Sequence, residues 1–132
     1  MTPARTILIV EDDRDIRDVL ADILVDEGYH VLLAEDGLEG LQRLRDGPQP
    51  ALILLDLMMP RMDGFQFRDE QRRRPEWRDI PVVLLTAGGD LPDKARQLDA
   101  ADALRKPVKL ESLLEMIDRF TPPLRAPAPP GA

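Results

Sequence analysis

The sequence contains no cysteine, so the chain can form neither a disulfide framework nor a thiolate metal site. Its start, MTPARTILIV, lacks the apolar stretch and the small-residue cleavage site of a signal peptide. No run of residues approaches the roughly 20 apolar positions that a membrane-spanning helix requires. These absences predict a soluble, cytoplasmic protein.

The chain also lacks an excess of basic residues, since 25 acidic and 18 basic side chains give a formal net charge of −7. Nucleic-acid binding requires a clustered excess of Lys and Arg to neutralise phosphates, so this balance argues against such a surface. One basic cluster, Arg72 to Arg74 with Arg68, is mixed with acidic residues. We expect this cluster to form a solvated helix face rather than an anion site. The single histidine, His30, is expected to be structural.

A length of 132 residues predicts one domain, with a core that buries roughly two thirds of the unfolded surface. No internal repeat is visible. From Thr121 the sequence reads TPPLRAPAPPGA, with five prolines in the last eleven residues and almost nothing to bury. We therefore expect a folded domain over residues 1–120 and a Pro/Ala-rich flexible tail over residues 121–132, without an effector domain.

The most informative stretch is LILLDLMMPRMDG, at residues 52–64. Four bulky aliphatic residues stop at a single carboxylate, Asp56, and Pro60 follows four residues later. An apolar run without polar alternation is typical of a parallel strand that is buried on both faces. Asp56 is therefore predicted to lie at the C-terminal tip of a central strand, where open α/β sheets bind their ligands.

Three other strand-like segments also end in polar side chains. They are TILIV before Glu11, Asp12 and Asp13, VVLL before Thr86, and ALR before Lys106. Parallel strands would bring these acids, the hydroxyl and the ammonium to the same edge of the sheet as Asp56. Such a set can hold a divalent cation and a phosphoryl group. The three acids after the first strand could instead simply cap the first helix and complement its dipole.

Amphipathic helices are predicted between the strands. Apolar residues recur at helical spacing from Ile16 to Leu24, and Gly28 is placed to end that helix. Five alternations of strand and helix predict a parallel sheet with helices on both faces. The remaining predicted elements are a strand over 30–34, a short helix capped by Asp36 with apolar Leu38, Leu41 and Leu44, a helix over 65–73, a strand opened by Pro81, a short helix from Leu91 to about Leu98, and a final helix with apolar Leu110, Leu113, Leu114 and Ile117.

The ordered set of Glu11, Asp12, Asp56, Thr86 and Lys106, with Pro60, Met62-Asp63-Gly64 and Lys106-Pro107 around it, resembles the receiver domain of two-component response regulators. The resemblance covers about residues 5–120 and depends on several motifs in a fixed order. It implies a flavodoxin-like α/β fold, in which a five-stranded parallel sheet has the order 2-1-3-4-5 and helices on both faces.

The resemblance also implies a role for each site residue. Asp56 would be the phosphoacceptor, and the ligands of a Mg²⁺ ion would be Glu11, Asp12, Asp56 and the backbone carbonyl of Met58. This donor set suits Mg²⁺, which takes about six oxygen ligands and keeps several waters. Lys106, the Thr86 hydroxyl and the Ala87 N–H would contact phosphoryl oxygens. The Lys106–Pro107 peptide bond would be cis.

A phosphoacceptor of this kind is not an enzyme in the usual sense, because it promotes only its own phosphorylation and dephosphorylation. The implied donor is a histidine kinase or a histidine phosphotransfer protein that docks near the first helix. The output would be contact with an unknown protein through the fourth helix, fifth strand and fifth helix. We expect no direct nucleic-acid or membrane partner, and a homodimer is compatible with the sequence.

The sequence departs from the family in the segment that would carry the switch. Receivers commonly have Tyr or Phe three residues before the lysine, where this chain has Ala103, and Asp99 replaces a small glycine. The segment from Thr86 to Lys106 is also about two residues shorter than is usual in the family, at the expense of the fourth helix. One hypothesis is that output depends on the Gly88-Gly89 loop and the fourth helix changing order. The alternative is that another side chain fills the gap.

Three other functions share part of this residue pattern. An aspartate-nucleophile phosphatase of the haloacid dehalogenase type would require a second acid and a threonine shortly after the nucleophile, where this chain has Met58 and Pro60. A flavodoxin-like cofactor binder would require a phosphate loop rich in Ser, Thr and Gly where this chain has Glu11 to Arg14. A receiver-shaped interaction module that is never phosphorylated stays open.

Overall fold

The computed structural model of the protein describes residues 5–87 and 91–121. Within these residues five strands alternate with five helices. The strands are β1 (Thr6–Val10), β2 (His30–Ala34), β3 (Leu52–Asp56), β4 (Val82–Thr86) and β5 (Asp102–Arg105). The helices are α1 (Arg14–Asp26), α2 (Gly37–Asp46), α3 (Gly64–Arg73), α4 (Leu91–Leu98) and α5 (Leu110–Phe120). The alternation predicted from the sequence is confirmed, including the short α4.

The strands form one sheet in the order β2-β1-β3-β4-β5, and every neighbouring pair is parallel. The expected strand order is therefore confirmed. The register pairs Val10 with Leu55 and Asp56 with Leu85. As a result, the C-terminal tips of β1, β3 and β4 lie side by side at one edge of the sheet, where the functional residues were predicted.

Helices cover both faces of the sheet, because successive side chains of a strand point to opposite sides. Ile7 and Ile9 of β1 pack in a cluster with α1 and α5, whereas Leu8 and Val10 pack with α2, α3 and α4. Every residue of β1, β3 and β4 is buried. This explains why their sequences are continuous apolar runs rather than alternating ones.

Acidic residues cap the N-termini of the three helices that follow β1, β2 and β3. Asp13 accepts a hydrogen bond from the N–H of Ile16 (3.1 Å), and Asp36 accepts one from the N–H of Glu39 (2.9 Å). Asp63 forms a reciprocal capping box with Gln66 at the start of α3. Gly28 has φ +98°, a left-handed conformation that suits glycine, just after α1 ends. The three acidic caps thus mark where the loops at the polar edge of the sheet end and the helices begin.

The apolar faces of two helices begin later than predicted. Leu38 of α2 and Leu110 of α5 are 45% and 51% exposed, and both lie in the first turn of their helix. The buried faces begin one turn later, at Leu41 and Leu113, which pack against the core clusters.

The basic cluster on α3 is only partly a solvated face, so that prediction is wrong for Arg68. Arg72, Arg73 and Arg74 are exposed, but Arg68 is 6% exposed. Its guanidinium donates hydrogen bonds to the carbonyls of Leu98 (2.9 Å) and Asp99 (2.8 Å), and to the side-chain oxygen of Gln71 (2.8 Å). The arginine thus binds the free carbonyls at the C-terminal end of α4, where a cation is favoured.

The described chain ends at Thr121, which the sequence had placed in the tail. Thr121 is fully buried, and its hydroxyl donates to the Tyr29 oxygen (3.0 Å) or to the carbonyl of Ile117 (2.7 Å). The folded domain therefore includes Thr121, and the rest of the predicted tail, residues 122–132, lies outside the described residues. Among the described helices, none is both long enough and apolar enough to cross a membrane.

Candidate metal and phosphoacceptor site

Three carboxylates converge at the polar edge of the sheet. Glu11 and Asp12 follow β1, and Asp56 is the last residue of the neighbouring strand β3. One carboxylate oxygen from each lies within 4.8 Å of the other two. Glu11 and Asp56 are buried, at 0% and 3% exposure, whereas Asp12 is exposed to solvent. The structure thus brings together the three acids that the sequence predicted as metal ligands.

Lys106 faces these acids from the opposite side. Its Nζ lies 2.6 Å from Glu11 Oε1 and 3.3 Å from Asp56 Oδ1, and its side chain is 14% exposed. The Lys106 N–H donates to the Thr86 carbonyl (2.8 Å), which continues the pairing of β4 with β5. The Lys106–Pro107 peptide bond is cis, as the resemblance implied.

The charges in this pocket are only partly balanced. Burial, together with the hydrogen bonds and negative charge of Asp12 and Glu11, raises the pKa of Asp56 from 3.8 to about 7, although Lys106 acts to lower it. Burial acts to lower the pKa of Lys106, but the contacts of its ammonium with Glu11 and then with Asp56 raise this pKa overall. For Asp12, burial acts to raise the pKa, and hydrogen bonds with Asp56 and Glu11 lower it overall. One lysine is therefore not enough to keep all three acids ionised at neutral pH.

These residues fit a small divalent cation. Glu11 Oε1 is buried, and its partner among the described residues is Lys106 Nζ, 2.6 Å away. Three clustered carboxylates beside this ammonium, with the pKa of Asp56 still raised, indicate a site that favours more positive charge. Carboxylate oxygens are the ligands that Mg²⁺ prefers. Met58 lies beside the acids, since its N–H is 3.4 Å from Asp56 Oδ1; the role of its carbonyl stays a prediction.

The remaining predicted site residues share one open cleft with the acids. Its volume is about 590 Å³, and its lining includes Asp12, Asp13, Asp56, Met58, Thr86, Ala87 and Lys106. Glu11 lies beside this cleft as a fully buried residue. Asp13, in contrast, is the N-cap of α1. The last member of the acidic trio thus caps the helix, while the first two cluster with Asp56, and their role as metal ligands stays a prediction.

Sequence reasoning missed two arginines that hold the loops of the site. Arg17 Nη1 donates to the backbone carbonyls of Glu11 (2.8 Å) and Asp12 (3.5 Å). Arg61 forms an ion pair with buried Asp36 and has φ +63°, unusual for a residue other than glycine. Nothing in the spacing of these residues indicates the contacts, since each depends on how the loops fold.

The segment that departs from the family is described only in part. Ala103 is half-buried and lines a cleft of about 400 Å³ together with residues from Leu104 to Ser112. The Gly88-Gly89 loop lies outside the described residues. Both hypotheses about the switch therefore stay predictions. His30 begins β2, at the edge of the sheet opposite to the acids.

Comparison with known proteins gives a consistent result. The family model of the response regulator receiver domain matches residues 7–118. The chain is similar to the DNA-binding dual master transcriptional regulator RpaA of Synechocystis, with 43% identity over 113 residues that cover 84% of this chain and 46% of that protein. The chain spans about half the length of the curated relatives it matches.

Solved structures show the same fold. The chemotaxis protein CheY4 of Vibrio cholerae has a TM-score of 0.82 at 30% identity, covering 89% of this chain and 99% of that chain. The receiver domain of a sensor histidine kinase from Pseudomonas aeruginosa has a TM-score of 0.81 at 29% identity, covering 89% and 98%. That receiver was solved with a magnesium ion coordinated in its active site cleft.

Proposed function

Because the chain belongs to the family of response regulator receiver domains, we propose that Asp56 accepts a phosphoryl group from a phosphohistidine and that the protein signals through contact with another protein. The observation that carries this proposal is the position of Asp56. It is a buried carboxylate at a strand tip, with two further acids and a lysine within reach of the same cleft.

The chemistry is a single transfer. A carboxylate oxygen of Asp56 attacks phosphorus, the P–N bond to the donor imidazole breaks with its electron pair moving to nitrogen, and an aspartyl phosphate forms. Lys106, which already lies 3.3 Å from Asp56 Oδ1, would partner the negative charge of the phosphoryl group. The Thr86 hydroxyl and the Ala87 N–H line the same cleft and would hydrogen-bond its other oxygens.

Glu11, Asp12 and Asp56, with the predicted carbonyl ligand from Met58, would hold Mg²⁺. A bound Mg²⁺ ion supplies positive charge to the acids and to the phosphoryl oxygens. The protein itself places Lys106 beside Glu11 and provides a carboxylate nucleophile at the end of a buried strand. In this proposal the chain is a phosphoacceptor and not a turnover enzyme.

The surface beside the cleft supports a docking position for the phosphohistidine donor. A largely apolar groove of about 250 Å³ lies between α1 and the segment after Lys106, and it is lined by Asp15, Ile16, Val19, Leu20, Pro107 and Val108. Val19 is 56% exposed there. Ile16 and Pro107 also line the acidic cleft, so a donor bound in the groove would be next to Asp56.

The downstream partner is proposed to be a protein. RpaA is described as DNA-binding, but the chain covers 46% of its length, and that description applies to RpaA as a whole. The net charge of −7 supports a receiver that does not itself bind nucleic acid. In this proposal the protein works in the cytoplasm. The proposed receiver domain extends to Thr121, the last residue of the described chain.

The test is incubation with MgCl₂ and acetyl phosphate, read by intact mass. We expect the mass of one phosphoryl group to be added to the wild type, no addition to Asp56→Asn, and no addition when EDTA replaces MgCl₂. Asp13→Asn is the matched control, because Asp13 lines the same cleft and asparagine caps a helix equally well. This variant should be labelled like the wild type. Labelling of Asp56→Asn would show that another residue accepts the phosphoryl group, which would overturn the role of Asp56. An unlabelled wild type would favour the interaction module that works without phosphorylation.

A further inference from the structure

The loop between β3 and α3, residues 57–63, carries Met58 and is closed on itself at its base. The N–H of Gly64 donates to the carbonyl of Leu57 (3.0 Å), and the N–H of Met62 donates to that of Pro60 (2.7 Å). Its outer part is open to solvent, since Met58 is 76% exposed. The base alone therefore does not determine where the outer part of the loop lies relative to the acids.

The outer part is held by the neighbouring loop, between β2 and α2. Arg61 Nε donates to Asp36 Oδ2 (2.6 Å), its Nη2 forms a second contact with the same oxygen, and Nη2 also lies 3.7 Å from Glu35 Oε1. The Asp36 side chain is 1% exposed, and breaking a buried ion pair of this kind is costly because one partner is left without its counter-charge. Its other oxygen, Oδ1, accepts the N–H of Glu39 and caps α2. Each carboxylate oxygen of Asp36 thus has a separate partner.

Two further contacts act at the same place. The N–H of Gly37 donates to the Met62 carbonyl (2.9 Å), and a Cβ on Gly37 would lie 2.5 Å from Met62 Cγ. The loops therefore touch so closely that only glycine fits. Arg61 and Asp36 also line a cleft of about 440 Å³ with Asp12, one of the predicted metal ligands.

We propose that Arg61 is a positioning residue for the Mg²⁺ site: its ion pair with buried Asp36 holds the loop that carries Met58 against the acidic pocket and thereby strengthens Mg²⁺ binding. This inference rests on the proposed function, because it assumes that Glu11, Asp12 and Asp56 bind Mg²⁺. Residues that orient metal ligands without touching the metal commonly change metal affinity by about 10- to 100-fold.

The sign of the effect separates positioning from simple electrostatics. Arg61 is a cation beside a cation-binding site, so its charge alone weakens Mg²⁺ binding, and its removal would strengthen binding. The positioning role predicts the opposite. Arg61→Ala should therefore weaken binding even though it removes a repelling charge. Alanine at this position keeps the φ of +63° as costly as it is for arginine, so the backbone contribution is similar.

The experiment is isothermal titration calorimetry of MgCl₂ into each full-length variant. We expect Arg61→Ala to raise the dissociation constant about tenfold, at the low end of the range for outer ligand partners. Asp36→Ser should act in the same direction, since serine still caps α2 but no longer pairs with Arg61. The double variant should bind Mg²⁺ no more weakly than the weaker-binding single variant, because both substitutions break the same contact between Arg61 and Asp36. Arg61→Lys keeps the charge and loses the Nε contact, so it should also weaken binding.

Arg43→Ala is the matched control. Arg43 Nε donates to the Leu33 carbonyl (2.8 Å) and its guanidinium lies 3.7 Å from Glu39, so it holds α2 without touching the loop of residues 57–63. Its Mg²⁺ affinity should equal that of the wild type. Amide hydrogen exchange of the metal-free variants in EDTA gives a second readout. Exchange should accelerate at residues 57–63 in Arg61→Ala and Asp36→Ser but not in β1.

Unchanged or tighter Mg²⁺ binding by Arg61→Ala, beside normal binding by the wild type, would overturn the positioning role and leave the proposed function intact. A wild type that binds no Mg²⁺ would overturn the metal site and this inference together. If the fluorescence of Trp77 shows that Arg61→Ala does not fold, the Mg²⁺ affinity of Arg61→Lys tests the proposal instead. Wild-type affinity in Arg61→Lys and in Asp36→Ser would then refute the proposal.

Discussion

Replacing Asp56 with asparagine should make the metal-free protein more stable at pH 8, although it removes the residue on which the proposed function depends. Asp56 is buried against Glu11 and Asp12, and among the described residues Lys106 is the cation that offsets their charge when no metal is bound. Asparagine has nearly the same shape and no charge. The substitution therefore removes an electrostatic cost while it preserves packing.

The size of this cost follows from the pKa of Asp56, which burial and then the neighbouring acids raise from 3.8 to about 7. At about 1.4 kcal/mol per tenfold change in proton affinity, this corresponds to about 4 kcal/mol at pH 8. Between pH 4 and pH 7 the folded wild type holds more protons at Asp56 than the unfolded chain does. Its free energy of unfolding therefore falls as the pH rises through this window. The advantage of Asp56→Asn should grow from near zero at pH 4 to about 4 kcal/mol at pH 8.

The measurement is urea unfolding at pH 5, 6, 7 and 8 in EDTA, followed by tryptophan fluorescence. Trp77 is the single tryptophan of the chain and is 8% exposed, so unfolding should change its emission. Asp18→Asn is the control, because Asp18 is exposed and its ion pair with Arg14 spans 3.7 Å at the surface. Removing such a pair changes stability by at most about 1 kcal/mol. Saturating MgCl₂ should stabilise the wild type more than Asp56→Asn, so the difference between their free energies of unfolding should become smaller.

A difference between wild type and Asp56→Asn that stays constant from pH 5 to pH 8 would refute this reasoning. So would an asparagine variant that is less stable than the wild type at pH 8. Either result would mean that Lys106 balances the three acids without a further cation. The electrostatic argument for a metal at this site would then lose its physical basis.

Three further predictions concern single side chains. Lys106→Met should raise the pKa of Asp56 above about 7, since the cation that opposes the rise is lost; an NMR titration of the Asp56 carboxyl carbon measures it. Arg68→Met should destabilise the protein by about 2–4 kcal/mol in urea unfolding, because buried carbonyls of Leu98 and Asp99 lose their donor. Gly64→Ala should cost about 1–3 kcal/mol in the same assay, because its Cβ would lie 2.5 Å from the Asp56 carbonyl oxygen.

The sequence was sufficient for the features that depend on local pattern and on topology. The apolar run before Asp56 is continuous because β3 lies between β1 and β4 and is buried on both faces. Once the strands are parallel, their C-terminal ends meet at one edge, so Glu11, Asp56 and Lys106 must approach each other. Their convergence required no knowledge of loop conformation.

Contacts between long side chains and distant backbone could not be predicted in this way. Arg68 resembles its exposed neighbours in sequence, but its partners Leu98 and Asp99 lie 30 and 31 residues away. Arg61 pairs with Asp36 across 25 residues and two loops. An arginine can reach many positions, and helical periodicity does not indicate which carbonyl or carboxylate it meets.

The electrostatic cost of the acidic site must be offset elsewhere in the fold. Ionising Asp56 in the metal-free protein costs about 4 kcal/mol, which is large beside the 5–15 kcal/mol by which domains are usually stable. Favourable contacts outside the acidic cluster offset this cost. β1, β3 and β4 are fully buried, Arg17 holds the backbone of Glu11 (2.8 Å), and Asp13, Asp36 and Asp63 cap the helices that follow the strands. Because these contacts hold the strand ends that carry the acids, we expect repulsion among the acids to be relieved by cation binding rather than by their moving apart.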